Sequence, residues 1–178
     1  MSYVWVGMVV VGLIGLLNLL LTFGVIRRLR EHTEQLSELR HGSDIILPAG
    51  ATVGEFTADT IDGIRVSRDG LAGRTVVSFF SPHCAPCRER MPEFIEYAGT
   101  APGGRSQVLA VVVGTPADAV EAVTALTPVA QVVVEPDGGA VSRAFAINGF
   151  PALCLVDERG TVLASGSTLD ELPSTVVA

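Results

Sequence analysis

Lysine is absent from this chain: all twelve basic residues are arginine, against nineteen Asp and Glu, for a formal net charge of −7. Beyond Arg40 the balance is eight Arg to sixteen Asp or Glu. Such a surface repels a phosphate backbone, which excludes nucleic acid as a partner. The all-arginine usage, with the richness in Ala, Gly and Val, reflects codon bias of a GC-rich genome and not a binding adaptation. Cysteine is scarce, and three residues exclude a disulfide-dense scaffold and leave one pair and one spare. Repeats and low-complexity tracts are missing as well.

Charge is missing altogether from Ser2 to Ile26, where Val, Leu, Ile, Gly and Met dominate. About 20 apolar residues span a bilayer, and Tyr3 and Trp5 fit an interfacial aromatic belt. A cleaved signal peptide fits poorly: no basic segment leads in, the apolar run is too long, and no small-x-small cleavage site follows. Residues 1–26 are therefore expected to be a transmembrane anchor. Residues 27–47 are expected to be a juxtamembrane helical stalk and linker, with Leu29, Leu36 and Leu39 among Arg and Glu. His41-Gly42-Ser43 ends the stalk and Pro48-Ala49-Gly50 marks the linker. Residues 48–178 form the main domain. Arg27, Arg28 and Arg30 follow the span, and the positive-inside rule would put this domain in the cytoplasm.

Short strands flank an Asp62-Gly63 turn. Val76–Phe80 is the first long strand and reads as buried, Gln107–Val113 is a continuous apolar strand of the kind buried on both faces, and Gln131–Val134 is another strand. Helices are predicted over Arg88–Ala98, Pro116–Leu126 and Ala140–Ala146. A last hairpin joins Ala152–Val156 to Thr161–Ala164, and a brief helix follows from Leu169. This order gives an α/β domain, a sheet with helices on both faces.

Cys84-Ala85-Pro86-Cys87 lies where the first long strand gives way to a helix. Two cysteines so spaced can close and reopen a small disulfide, so redox exchange is favoured over a structural role. The first sulfur would sit at the helix start, where unpaired N–H groups and the helix dipole favour a thiolate. Pro86 belongs in a first helical turn, where its missing N–H costs nothing, and it would also tune thiolate stability. His83 could stabilise the Cys84 thiolate or pass a proton, and Arg88 and Arg90 could raise the local positive potential. Cys154, in an apolar strand, is expected to be a buried inert thiol. Zinc wants four ligands, and Cys154 with three scattered histidines does not supply them, so no metal is expected.

From Pro48 onward the chain resembles thioredoxin-fold proteins, specifically the membrane-anchored TlpA-like thiol–disulfide oxidoreductases. Relatives of these are the cytochrome c maturation reductases and the thioredoxin-like accessory protein of methylamine dehydrogenase maturation. The resemblance rests on Phe79-Phe80-Ser81-Pro82-His83-Cys84-Ala85-Pro86-Cys87-Arg88, on Pro92, and on Gly149-Phe150-Pro151 before a strand ending Leu155-Val156-Asp157. It implies a central mixed sheet flanked by helices, with Cys84 as nucleophile and Cys87 as resolving thiol. It makes Pro151 a cis proline beside them, with Phe150 offering its backbone to an extended substrate peptide. His83 stands where most relatives carry Trp. Ser78 replaces the buried Asp of thioredoxins, and Arg90 replaces a Glu common in the TlpA-like proteins. The implied activity is disulfide exchange with cysteine pairs of exported proteins, as a reductase, with no cofactor beyond the dithiol. A membrane thiol-transfer partner would re-reduce it, and the domain would be extracytoplasmic, against the charge bias. Two alternatives belong to other classes. A copper chaperone would need Cys154 as third ligand, since no His follows His83. A peroxiredoxin-like peroxidase would need a Pro where Val77 stands.

Overall fold

A computed structural model of the chain describes residues 45–71 and 73–173, together with Tyr3, Trp5, Gly7, Met8, Gly12, Leu13 and Gly15. The chain divides into two units, Met1–His41 and Gly42–Ala178. The expected anchor and stalk lie outside the described residues, apart from those seven helical positions and Ile45–Leu47. Among the described residues no helix is long and apolar enough to cross a membrane.

The second unit is built on a five-stranded sheet in the order β5-β4-β3-β6-β7. Its strands are β3 (Thr75–Phe80), β4 (Val108–Val113), β5 (Gln131–Glu135), β6 (Ala152–Val156) and β7 (Val162–Gly166). β3 and β4, and β4 and β5, run parallel. β6 pairs antiparallel with both β3 and β7, so the sheet is mixed. The Asp62-Gly63 turn closes a separate hairpin of β1 (Thr57–Asp59) and β2 (Arg65–Ser67). Every residue of β3, β4 and β6 is buried, as unbroken apolar runs require.

Alternation along these strands makes two cores. Val76, Phe80, Val112 and Leu155 face α1 (Ala85–Ala98) and α2 (Val120–Leu126), where Phe94 and Leu126 meet them. Val77, Phe79, Val111 and Cys154 face the other way, toward Phe56, Val66 and the Val141 and Phe145 of α3 (Ala140–Ala144) and its end. The ring of Phe80, the last residue of β3, meets that of Phe94 edge-on at 5.3 Å. Such a pair adds about 0.5–1.5 kcal/mol beyond burial, and it fixes α1 against the strand that leads into Cys84.

The structure departs from the expected elements at several ends. α1 begins at Ala85, not Arg88, and runs through Pro92, whose missing N–H leaves the Arg88 carbonyl without a helical donor. The helix predicted from Pro116 starts at Val120, because the N–H groups of Asp118 and Ala119 both turn back to the Thr115 carbonyl, at 3.1 and 3.0 Å. α3 stops at Ala144, and Ala146 takes a left-handed φ of 51°. The predicted terminal helix is a single 3₁₀ turn, Leu169–Glu171. Ile46 is buried, and Leu47 N–H donates to the Phe145 carbonyl at 3.1 Å, so the folded unit includes residues assigned above to the linker.

Candidate active site

β3 ends at Phe80, and Ser81-Pro82-His83 turns the chain into α1. The turn closes when Cys84 N–H donates to the Ser81 carbonyl at 3.1 Å. Cys84 is the N-cap of α1, with extended backbone (φ −92°, ψ 114°), and its Sγ accepts the N–H of Cys87 at 3.3 Å. A sulfur at this position takes the role that a Ser or Asp oxygen takes in an ordinary cap, meeting one of the unpaired donors of the first turn. Pro86 occupies that first turn. On the other side the Cys84 thiol donates to the carbonyl of Phe150 at 3.6 Å. The Phe150–Pro151 peptide bond is cis. Pro151 is buried, and the half-buried Phe150 packs against both cores.

The two sulfurs live in different surroundings. Cys84 is half-exposed, whereas Cys87 is fully buried among Phe80, Phe94 and Leu153. Burial, reinforced by the hydrogen bond and charge of Cys84, pushes the Cys87 thiol up to about 12, against smaller opposing pulls from the Ser81 backbone and Arg88. Ser78, where thioredoxins carry a buried acid, lies on the Cys87 side of β3, completely buried, and its hydroxyl has no hydrogen-bond partner among the described residues. Cys154 pairs in register with Val77 and points into the opposite core, where burial raises its thiol pKa further still.

The remaining predicted residues fall at different distances from this centre. His83 is exposed, and its Nε2 lies 3.6 Å from Asp118 Oδ2. Arg88 folds back so that Nη1 donates to the Pro82 carbonyl at 2.9 Å. Arg90 is exposed on α1 and lines neither cleft described next.

A cleft of about 620 Å³ opens where β3, β4 and β5 end, with His83 and Phe150 in its walls. A smaller one of about 240 Å³ lies between α1 and α2, lined by Met91, Ile95 and Ala122. Asp118 borders both. Its carboxylate accepts the Thr115 hydroxyl at 2.6 Å, which anchors the group facing His83. Asp118, Glu135 and Asp137 line the larger cleft, and sequence reasoning named none of them. None sits in a motif, and each depends on a loop or strand end brought in by the sheet. Among the described residues no cluster of His, Cys, Asp and Glu could hold a metal ion. Cys154, the third ligand that copper would require, lies across the sheet from Cys84 and Cys87.

The AhpC/TSA family model matches residues 49–165. No curated protein matches the chain. Among solved structures it is similar to the thioredoxin domain of a thiol-disulfide oxidoreductase from Bacteroides vulgatus, with 24% identity over 71% of this chain and 93% of that one, at a TM-score of 0.58. A thiol:disulfide interchange protein from a Bacteroides species is 22% identical, over 67% of this chain and 81% of that one, at a TM-score of 0.55. StoA from Bacillus subtilis is 21% identical, over 66% and 90%, at 0.51. At these identities the likeness is one of fold.

Proposed function

The chain belongs to the AhpC/TSA family and has a thioredoxin-like fold, and we propose that it is a thiol–disulfide oxidoreductase working through Cys84 and Cys87. One observation carries this: a half-exposed sulfur caps α1, accepts the Cys87 N–H at 3.3 Å, and lies 3.6 Å from the carbonyl before cis Pro151. The Cys84 thiolate attacks one sulfur of a substrate disulfide, a mixed disulfide forms, and the other substrate sulfur leaves as a thiolate. Cys87 then loses its proton and attacks Cys84 Sγ. The second substrate sulfur is released, and a Cys84–Cys87 disulfide remains. Two electrons have passed to the substrate; run backwards, the same steps oxidise it.

Phe150 and Pro151 would hold the substrate backbone beside Cys84. His83, Pro86 and Arg90 are assigned to tuning of the pair or to contact with the substrate. We assign the reducing direction, with cysteine pairs of exported proteins as substrates, because a tethered dithiol has its clearest use where cysteines are oxidised. Residues 1–26 would be the tether, and a membrane thiol-transfer partner would return Cys84–Cys87 to the dithiol. Copper delivery is disfavoured by Cys154, which faces the opposite core. A peroxidase is disfavoured by Val77, a buried strand residue where its pattern needs Pro.

Trapping tests the assignment. Cys87→Ser should accumulate mixed disulfides on Cys84 in cells, visible as adducts that thiol reductant removes, and Cys84→Ser should give none. No adduct on Cys87→Ser, together with tight copper binding by the reduced chain with both Cys84 and Cys87 in place, would refute it.

A further inference from the structure

Resting on that dithiol role, we propose that the cleft beside Cys84 receives the flank of the substrate cysteine and selects cysteines with a neighbouring Arg or Lys, held between Asp118 and Asp137. In a parallel sheet, the loops leaving the carboxyl ends of the strands build the ligand crevice. Here those loops carry His83 after β3, Asp118 after β4 and Asp137 after β5, and all three line the cleft. Phe150 closes its side nearest the nucleophile, since the Phe150 carbonyl accepts the Cys84 thiol. A peptide whose cysteine reaches Cys84 therefore has residues of its own within reach of this cleft.

The walls are apolar at Val113, Pro116, Val134 and Pro136, and three carboxylates, Asp118, Glu135 and Asp137, line them with one basic group, His83. No arginine lines the cleft, whereas the smaller cleft on the other side of Asp118 contains Arg88. Glu135 is committed elsewhere: Oε1 accepts from Ser142 N–H at 2.7 Å and Ser142 Oγ at 2.6 Å, and Oε2 from Val141 N–H at 3.0 Å. Asp118 and Asp137 remain. Asp118 meets the Thr115 hydroxyl and His83 through the same oxygen, Oδ2. Asp137 is exposed, and its carboxylate has no hydrogen-bond or ion-pair partner among the described residues. Two carboxylates over an apolar floor, with no arginine opposite and His83 the one basic group, beside Asp118, complement a long basic side chain whose stem packs on Pro116 and Pro136.

The test uses the full Cys87→Ser chain in nonionic detergent and cysteine peptides capped with thionitrobenzoate. Cys84 thiolate attacks the peptide sulfur, a Cys84–peptide disulfide forms, and thionitrobenzoate leaves with the electron pair as a coloured thiolate. A peptide with Arg beside its cysteine should react about ten-fold faster than its Glu counterpart at low ionic strength, and high salt should collapse the ratio. Adding Asp118→Asn with Asp137→Asn should cut the ratio to about two-fold. Asp137→Asn alone, at an exposed side chain, should lower it part of the way. Glu158→Gln with Asp170→Asn removes the same charge outside the cleft and should leave the ratio intact. Rapid but equal reaction of both peptides would overturn the cleft assignment and leave the dithiol role standing, as would a control pair that lowers the ratio equally. No release from either peptide would overturn both.

Discussion

Cys87 keeps its proton because its burial among Phe80, Phe94 and Leu153 disfavours the thiolate. Its partner in the motif faces solvent, and the hydroxyl nearest to the expected acid position, on Ser78, is itself without a partner among the described residues. A raised thiol pKa makes a signed statement about stability. The unfolded chain releases the Cys87 proton near 9, while the fold retains it up to about 12. The fold therefore binds more protons inside that window, and stability, fully present below about 9, falls as pH rises through it, by about 1 kcal/mol per pH unit for one such group. Urea midpoints of the reduced protein should drop between pH 8 and pH 10 (about one unit either side of the ordinary thiol value), and Cys87→Ala should flatten the drop. The buried Cys154 contributes a share that persists in that variant, and an unchanged slope would remove Cys87 from the account. Cys84, Cys87 and Pro151 were legible because short motifs mark them. Asp118 was not, since its link to His83 runs between two loops that only the sheet brings together.

α3 has five residues, too few to hold a helix by its own hydrogen bonds. It is held from outside, by the carboxylate at the end of β5. Gly139 is part of this arrangement, because any Cβ there would run into the Glu135 carboxylate. Glu135→Ala strands the Val141 and Ser142 N–H groups in a buried setting, at about 1–3 kcal/mol each. The urea midpoint should fall accordingly, and amide exchange over Val141–Ala144 should accelerate, with Glu135→Gln restoring part of both. An unaltered midpoint in the Ala variant would mean that water replaces the carboxylate at no cost. The strands β3, β4 and β6 were legible as apolar runs, but β5 was expected to end at Val134. A glutamate in a sequence suggests solvent, and two of its three partners here are backbone N–H groups, which every residue but proline carries. α2 was expected four residues early for a similar reason. Proline suits a helix start, yet Thr115 diverts the following N–H groups into a turn.

The proposed tether and the domain make one further demand. With the 48–178 domain outside, protease added to spheroplasts should digest it while a cytoplasmic marker survives. Protection until lysis would place it inside, as Arg27, Arg28 and Arg30 would have it. Mixed strand directions and two cores give the sheet a consequence beyond support. Cys84 and Cys87 belong to one side and Cys154 to the other, so the sheet acts as a partition between thiols. An odd cysteine in a protein that handles disulfides invites scrambling. Here a wrong pairing with Cys154 would require the central strands to part, and a mixed disulfide on Cys84 has a single thiol of its own side, Cys87, to resolve it.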